Sequence, residues 1–192
     1  MSMPSIRQAL MLAEQFAILL ERLRPASVAV FGCAGGNGLD RLNPHEVRRV
    51  VGVDINDQYI RETRARYAGR LADLELVCGD VQSDLLQFEP VEFIYAALVF
   101  EYVGVSATLA TVKRNCREGG TLATVLQLPS ASAVSPSPYE SLGRLSTMIR
   151  LVAPSELRRM AELAGFSEAT SEIVELSSRK AFCVQTFRLV QS

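Results

Sequence analysis

The chain has 192 residues and a mass of 21.0 kDa, enough for one hydrophobic core but not for two. Its 20 lysines and arginines against 21 aspartates and glutamates leave a net charge of -1, so no overall positive field exists to hold a nucleic-acid backbone or an anionic membrane. With 48% hydrophobic and 21% charged residues, intrinsic disorder is excluded, and no apolar run reaches the roughly 20 residues of a membrane span.

In chain order, Ile6, Leu10, Ala13, Phe16, Ala17, Leu20 and Leu23 recur at spacings of three and four, which predicts an amphipathic helix over residues 1–24. Glu14 and Gln15 interrupt the apolar stretch from Ala9 to Leu20, so it does not read as a signal peptide. Ser27 to Phe31 is a short buried strand that stops at a glycine loop, Gly32-Cys33-Ala34-Gly35-Gly36-Asn37-Gly38. A short polar helix or an irregular stretch fills Leu39 to Arg49. The second strand, Val50 to Ile55, carries Asp54 at its end, and Asn56 or Asp57 caps a helix running to about Ala68. Arg61, Arg64, Arg66 and Arg70 on that helix form a solvated face, with nucleic-acid contact as the weaker alternative.

A third strand, Leu74 to Cys78, closes at Gly79-Asp80, and the continuous apolar run from Val91 to Phe100 is a central strand buried on both faces. Ser106 to Arg117 is helical, and Glu118-Gly119-Gly120 turns into a fifth strand, Thr121 to Leu128. Residues 129–152 form a Ser- and Pro-rich insertion with a helical piece near Leu142 to Ile149. Pro154 opens a helix that Gly165 closes. Two runs, Glu168 to Val174 and Phe182 to Leu189, pair as an antiparallel hairpin at the sheet edge. The expected architecture is α/β: a doubly wound, mostly parallel seven-stranded sheet with helices on both faces, in one domain over residues 1–192.

Ligands in such folds bind outside the carboxyl ends of the strands, which directs attention to Gly32, Asp54, Asp80 and Phe100. The glycine loop meets neither the Gly-x-x-x-x-Gly-Lys-Ser/Thr nor the Gly-x-Gly-x-x-Gly pattern, so an ATP-type phosphate loop and a nicotinamide or flavin site both lose support. Asp54 lies about 20 residues after Gly32, where a carboxylate accepts hydrogen bonds from both hydroxyls of a ribose. Asp80 stands where it would accept from the exocyclic amine of an adenine, with the Val81 N–H facing the ring. Either acid alone could be a cap or turn residue; the pair at consecutive strand ends, behind a glycine loop, points to a nucleoside. Cys33, Cys78, Cys116 and Cys183 are too far apart for a metal site or a disulfide frame and read as buried thiols of a reducing compartment, which places the protein in the cytoplasm with no metal expected. His45, the single histidine, lies in a polar segment and reads as exposed.

On these residues the chain resembles the class I S-adenosylmethionine-dependent methyltransferases of the small seven-stranded Rossmann-like type. Val28 to Gly36 is similar to the family's first motif, Val51 to Ile55 to its ribose-binding motif, and Leu76 to Val81 to its adenine-binding segment. Val91 to Val103 resembles the fourth strand and following turn, Arg117 to Thr124 the Gly-Gly turn into strand five, and Leu163 to Phe166 the turn before strand six. The resemblance implies that the backbone at Gly32, Cys33, Ala34 and Gly36 approaches the methionine part of S-adenosylmethionine. It implies further that Asp54 holds the ribose with Ile55 against the adenine, that Asp80 and Val81 read the adenine edge, and that Ala97 and Leu98 lie near the sulfonium. Two departures stand out: Val30 replaces the family's acid two residues before the first glycine, and Ala34 replaces its second glycine.

Methyl transfer from a sulfonium is an in-line displacement with a pre-activated leaving group, so alignment supplies most of the catalysis and a histidine base is dispensable. Glu101 and Tyr102, after the fourth strand, are the catalytic candidates, with capping and core packing as the alternatives. The absence of an Asn/Asp-Pro-Pro-Tyr/Phe motif argues against methylation of bases in nucleic acids, and a small-molecule acceptor is expected, walled by Tyr139, Leu142, Met148 and Ile149 of the insertion. No nucleic-acid or membrane partner is expected, and the oligomeric state is open, a homodimer included. A catalytically inactive S-adenosylmethionine-binding module acting through partners is the alternative, motivated by Val30 and Ala34.

Overall fold

The computed structural model describes residues 4–36, 38–71, 73–129, 150–176 and 180–190. Helix α1 spans Pro4–Leu23, followed by β1 (Ser27–Phe31), β2 (Arg49–Asp54), α2 (Asp57–Tyr67), β3 (Leu74–Cys78), β4 (Val91–Ala97) and α3 (Val105–Asn115). Strand β5 (Cys116–Gln127), helix α4 (Pro154–Leu163) and the strands β6 (Phe166–Glu175) and β7 (Ala181–Leu189) complete the chain. The seven strands form one sheet in the order β3-β2-β1-β4-β5-β7-β6. Neighbours from β3 to β5 pair in parallel, while β7 pairs antiparallel with both β5 and β6, so β7 alone runs against the other strands. The hairpin and the doubly wound architecture are as expected from the sequence.

Alternation along the strands sorts the core into two layers, because successive side chains of a strand face opposite sides of the sheet. Ala29, Phe31, Val51, Val53, Ile94 and Ala96 face α3 and α4, where Leu109, Val112, Leu157 and Ala161 meet them. Val28, Val30, Val50, Phe93 and Tyr95 face the other side, covered by Met11, Phe16 and Leu19 of α1 and by Ile60 and Tyr67 of α2. Phe16 stacks on Tyr95 with ring centroids 4.7 Å apart, and the Tyr95 hydroxyl donates to the Leu12 carbonyl at 2.9 Å, which fixes α1 along the sheet. Burying a ring such as Phe16 contributes about 1.5–3 kcal/mol.

The connection from β1 to β2 is as expected, and three details after it differ from the sequence reading. Between β1 and β2 only a three-residue turn of 3-10 helix forms, Leu39–Arg41, and the rest of that connection is irregular. Strand β4 ends at Ala97 and not at Phe100, because Leu98 adopts a left-handed backbone with φ 55° and turns the chain out of the sheet. Strand β5 begins at Cys116: its pairing jumps from Val91–Cys116 to Phe93–Thr121, so the Gly119-Gly120 turn is an irregularity inside the strand. Cys78 is exposed, as the last residue of an edge strand with a neighbour on one side alone, whereas Cys33, Cys116 and Cys183 are buried; all four are free thiols. The helical piece near Leu142 to Ile149, and the acceptor wall with it, lie outside the described residues. Among the described residues, no helix is long and apolar enough to cross a membrane.

Candidate active site at the carboxyl ends of the strands

The order of the sheet reverses at β1, which is flanked by β2 on one side and β4 on the other, and the glycine loop leaves β1 at that switch point. Gly32 turns the chain with φ 66°, and the Cys33 N–H donates to the Val53 carbonyl at 3.0 Å, extending the ladder one residue past the strand. Ala34 and Gly36 follow in left-handed conformations, φ 47° and 82°. At Ala34 this costs about 1–2 kcal/mol relative to an ordinary backbone, since it has a Cβ where a glycine would have none.

Asp54 offsets that cost. Its side chain is 8% exposed; one carboxylate oxygen accepts from the Ala34 N–H at 2.8 Å and the other from the Asn56 N–H at 2.9 Å. The acid at the end of β2 therefore ties the glycine loop to the start of α2, where Asn56 is the N-cap and accepts from Gln58 N–H at 2.9 Å. An ionised carboxylate has about four acceptor positions, so Asp54 keeps lone pairs for two ribose hydroxyls. Beside it Ile55 is 69% exposed, an apolar surface at the strand end that suits the face of a base.

The loop after β3 is separately braced. Asp80 accepts from the Gln82 N–H at 2.9 Å, while the Gln82 side-chain oxygen accepts from Gly104 N–H at 2.7 Å, at the N-cap of α3. Gly79 N–H donates to the Asp54 carbonyl at 2.9 Å, so the two acids sit on adjoining, hydrogen-bonded strand ends. Val81 is buried in the core layer facing α3, with Asp80 half-buried at the surface. Ala97 and Leu98 are half-buried at the end of β4, where the Leu98 N–H reaches the Val125 carbonyl at 2.9 Å. A non-glycine residue at positive φ is uncommon, and of the three among the described residues, Arg24, Ala34 and Leu98, the last two lie at this edge.

Glu101 is 4% exposed. One of its oxygens accepts from the Gln127 N–H at 2.8 Å, its backbone carbonyl accepts from Arg150 N–H at 3.0 Å, and its second oxygen has no partner among the described residues. Burial pushes its carboxyl up from 4.5 to about 6, against a smaller opposing effect of the Gln127 hydrogen bond. Tyr102 is 40% exposed; partial burial and then the Glu101 charge raise its phenol. Burial, and then the Asp54 charge, push the Cys33 thiol up to about 12, so it stays protonated inside the loop.

Sequence reasoning missed Thr63 and Tyr67. The first donates to the Ala34 carbonyl at 2.9 Å and the second to the Gly36 carbonyl at 3.0 Å, both from the buried face of α2. Their i, i+4 spacing was the available signal, obscured by the arginines that alternate with them. Two clefts, of about 440 and 270 Å³, lie at the amino ends of the strands, the first beside Glu92, Arg117 and Arg188 and the second beside Arg24, Arg41 and Glu46. Neither includes the glycine loop, Asp54 or Asp80, so the strand-end chemistry and not cleft size locates the site.

Comparison with known proteins bears on the family and the fold. Residues 30–124 match the family model of the methyltransferase domain. No curated protein matches the chain. Among solved structures, the N-methyltransferase NodS from Bradyrhizobium japonicum in complex with S-adenosyl-l-homocysteine superposes with a TM-score of 0.69 at 16% identity, over 94% of this chain and 88% of that one. Geranyl diphosphate methyltransferase in complex with SAM gives 0.72 at 14% identity, over 93% and 85%. The cyclase SpnF gives 0.74 at 13% identity, over 94% and 82%. At such identities the likeness is one of fold, and the fold serves more than one chemistry. Residues 30–124 thus match the methyltransferase domain, and the seven-stranded sheet that holds them has the Rossmann-like methyltransferase fold.

Proposed function

We propose that the protein is an S-adenosylmethionine-dependent methyltransferase acting on a small-molecule acceptor. The observation that carries this reading is Asp54, which closes β2 beside the switch point and holds the glycine loop with one oxygen and the start of α2 with the other. The residues present fit the cofactor: a carboxylate with spare lone pairs for the ribose, the exposed Ile55 for the adenine face, Asp80 for the adenine amine, and a backbone loop for the amino-acid end. When bound, the cofactor supplies a methyl group on a positively charged sulfur.

What the chain itself contributes is alignment and exclusion of water. Ala97 and Leu98 present backbone and apolar side chain at the end of β4, beside the place the sulfonium would take. Tyr102, exposed and kept protonated, is the residue we assign to contact with the acceptor. Glu101, sealed from solvent, fixes the carboxyl ends of β4 and β5 relative to Arg150. The near-zero net charge favours an acceptor other than nucleic acid. Four free thiols favour a reducing compartment, the cytoplasm.

Titration calorimetry with S-adenosylmethionine and S-adenosylhomocysteine tests the reading. We expect saturable binding of both, weakened at least tenfold in Asp54→Ala, about the worth of one charged hydrogen bond. An inactive binding module, the alternative motivated by Val30 and Ala34, would bind both ligands yet transfer no methyl group to any acceptor offered. Absence of binding at millimolar concentration would overturn both readings.

A further inference from the structure

Parallel strands are usually joined by a helix, and in nucleotide-binding folds the start of that helix orders the glycine loop. Here the crossover from β1 to β2 supplies a single 3-10 turn, and the loop lies instead against α2, the helix after the next strand. Three consecutive loop residues meet it. Thr63 Oγ1 donates to the Ala34 carbonyl, a Cβ on Gly35 would lie 3.4 Å from Glu62 Oε2, and Tyr67 donates its hydroxyl proton to the Gly36 carbonyl. The Tyr67 ring packs so close to Gly36 that any Cβ there would run into it, and both hydroxyl-bearing side chains are buried.

These contacts have a directional effect. In a trans peptide the carbonyl of one residue and the N–H of the next point opposite ways, and no peptide bond in the described chain is cis. Turning the Ala34 carbonyl toward Thr63 therefore aims the Gly35 N–H away from α2. That N–H has no acceptor among the described residues, while Asp54 already occupies the Ala34 N–H. The loop thus offers a free backbone donor, suited to a carboxylate.

We infer that Thr63 and Tyr67 are positioning residues that hold the loop in the shape that receives the carboxylate of the cofactor's amino-acid end. The inference rests on the methyltransferase reading above. It separates the two halves of the ligand: the nucleoside is held by Asp54 and Asp80, whereas the amino-acid end depends on α2.

The test compares S-adenosylhomocysteine with 5′-methylthioadenosine, which keeps the nucleoside and lacks the amino acid, by calorimetry on wild type, Thr63→Val, Tyr67→Phe and Ile60→Val. The last variant trims the buried side of the same helix at a residue whose side chain makes no hydrogen bond to the loop. We expect Thr63→Val and Tyr67→Phe each to weaken S-adenosylhomocysteine about three- to tenfold, the worth of one hydrogen bond, and to leave methylthioadenosine within twofold. Ile60→Val should leave both affinities within twofold. Equal weakening of the two ligands, or no change in either, would overturn the inference while leaving the cofactor assignment intact. A wild type that binds neither ligand would overturn the cofactor assignment and the inference together.

Discussion

A carboxylate as deeply buried as Glu101 carries a cost that depends on pH. The folded chain keeps its proton up to about pH 6, whereas the unfolded chain releases it near 4.5. Between those values the folded state binds more protons than the unfolded one, so stability falls as pH rises through the window and is lower by about 2 kcal/mol above it. Glu101→Gln removes the titration and keeps an acceptor for the Gln127 N–H. Denaturant unfolding of the two proteins at pH 4 and pH 7.5 should show the variant gaining about 2 kcal/mol on wild type between the two conditions. A constant difference across that range would mean that Glu101 does not titrate there. The cysteines divide at the same scale: burial pushes the thiols of Cys33 and Cys116 up to about 12, while Cys78 is exposed.

That division becomes useful at the scale of elements, because Cys78 closes β3 opposite Asp54 of β2, and its thiol contacts the Ile55 carbonyl at 3.7 Å. A ligand with its base on Ile55 would shield it. Native alkylation should modify one cysteine per chain, Cys78, and saturating S-adenosylhomocysteine should slow that reaction severalfold; peptide mass spectrometry reads both. Modification unaffected by the ligand would move the adenine away from β3. The strands themselves were legible in the sequence because each is a compact apolar run closed by a turn signal: Ser27 to Phe31 and Leu74 to Cys78 coincide with the structure. The end of β4 was not, since the apolar run continues through Phe100 and nothing local announces a left-handed Leu98. The positions of Asp54 and Asp80 at the ends of β2 and β3 were legible because strand ends are local features. Thr63 and Tyr67 were not, because the carbonyls they meet lie in a loop about 30 residues earlier and α2 on its own reads as a helix with an arginine-rich solvent face.

For the molecule as a whole, the two apolar layers pack on opposite faces of one sheet, and a ligand that binds only the folded form must raise its stability. At a hundredfold excess over its dissociation constant, S-adenosylhomocysteine should contribute about 2.7 kcal/mol, which for a chain of this size raises Tm by roughly 5–11 °C. Under the same concentration of ligand, Asp54→Ala should show a markedly smaller rise; an equal rise in both would place the nucleoside elsewhere.

The helix-poor crossover between β1 and β2 bears on how the chain is made. The glycine loop leaves the ribosome well before the helix whose hydroxyls shape it, and it has little local structure of its own to adopt in the interval. Its ordering waits until Tyr67 has been synthesised and α2 has docked, so the shape of the loop is set by residues about 30 positions further along the chain.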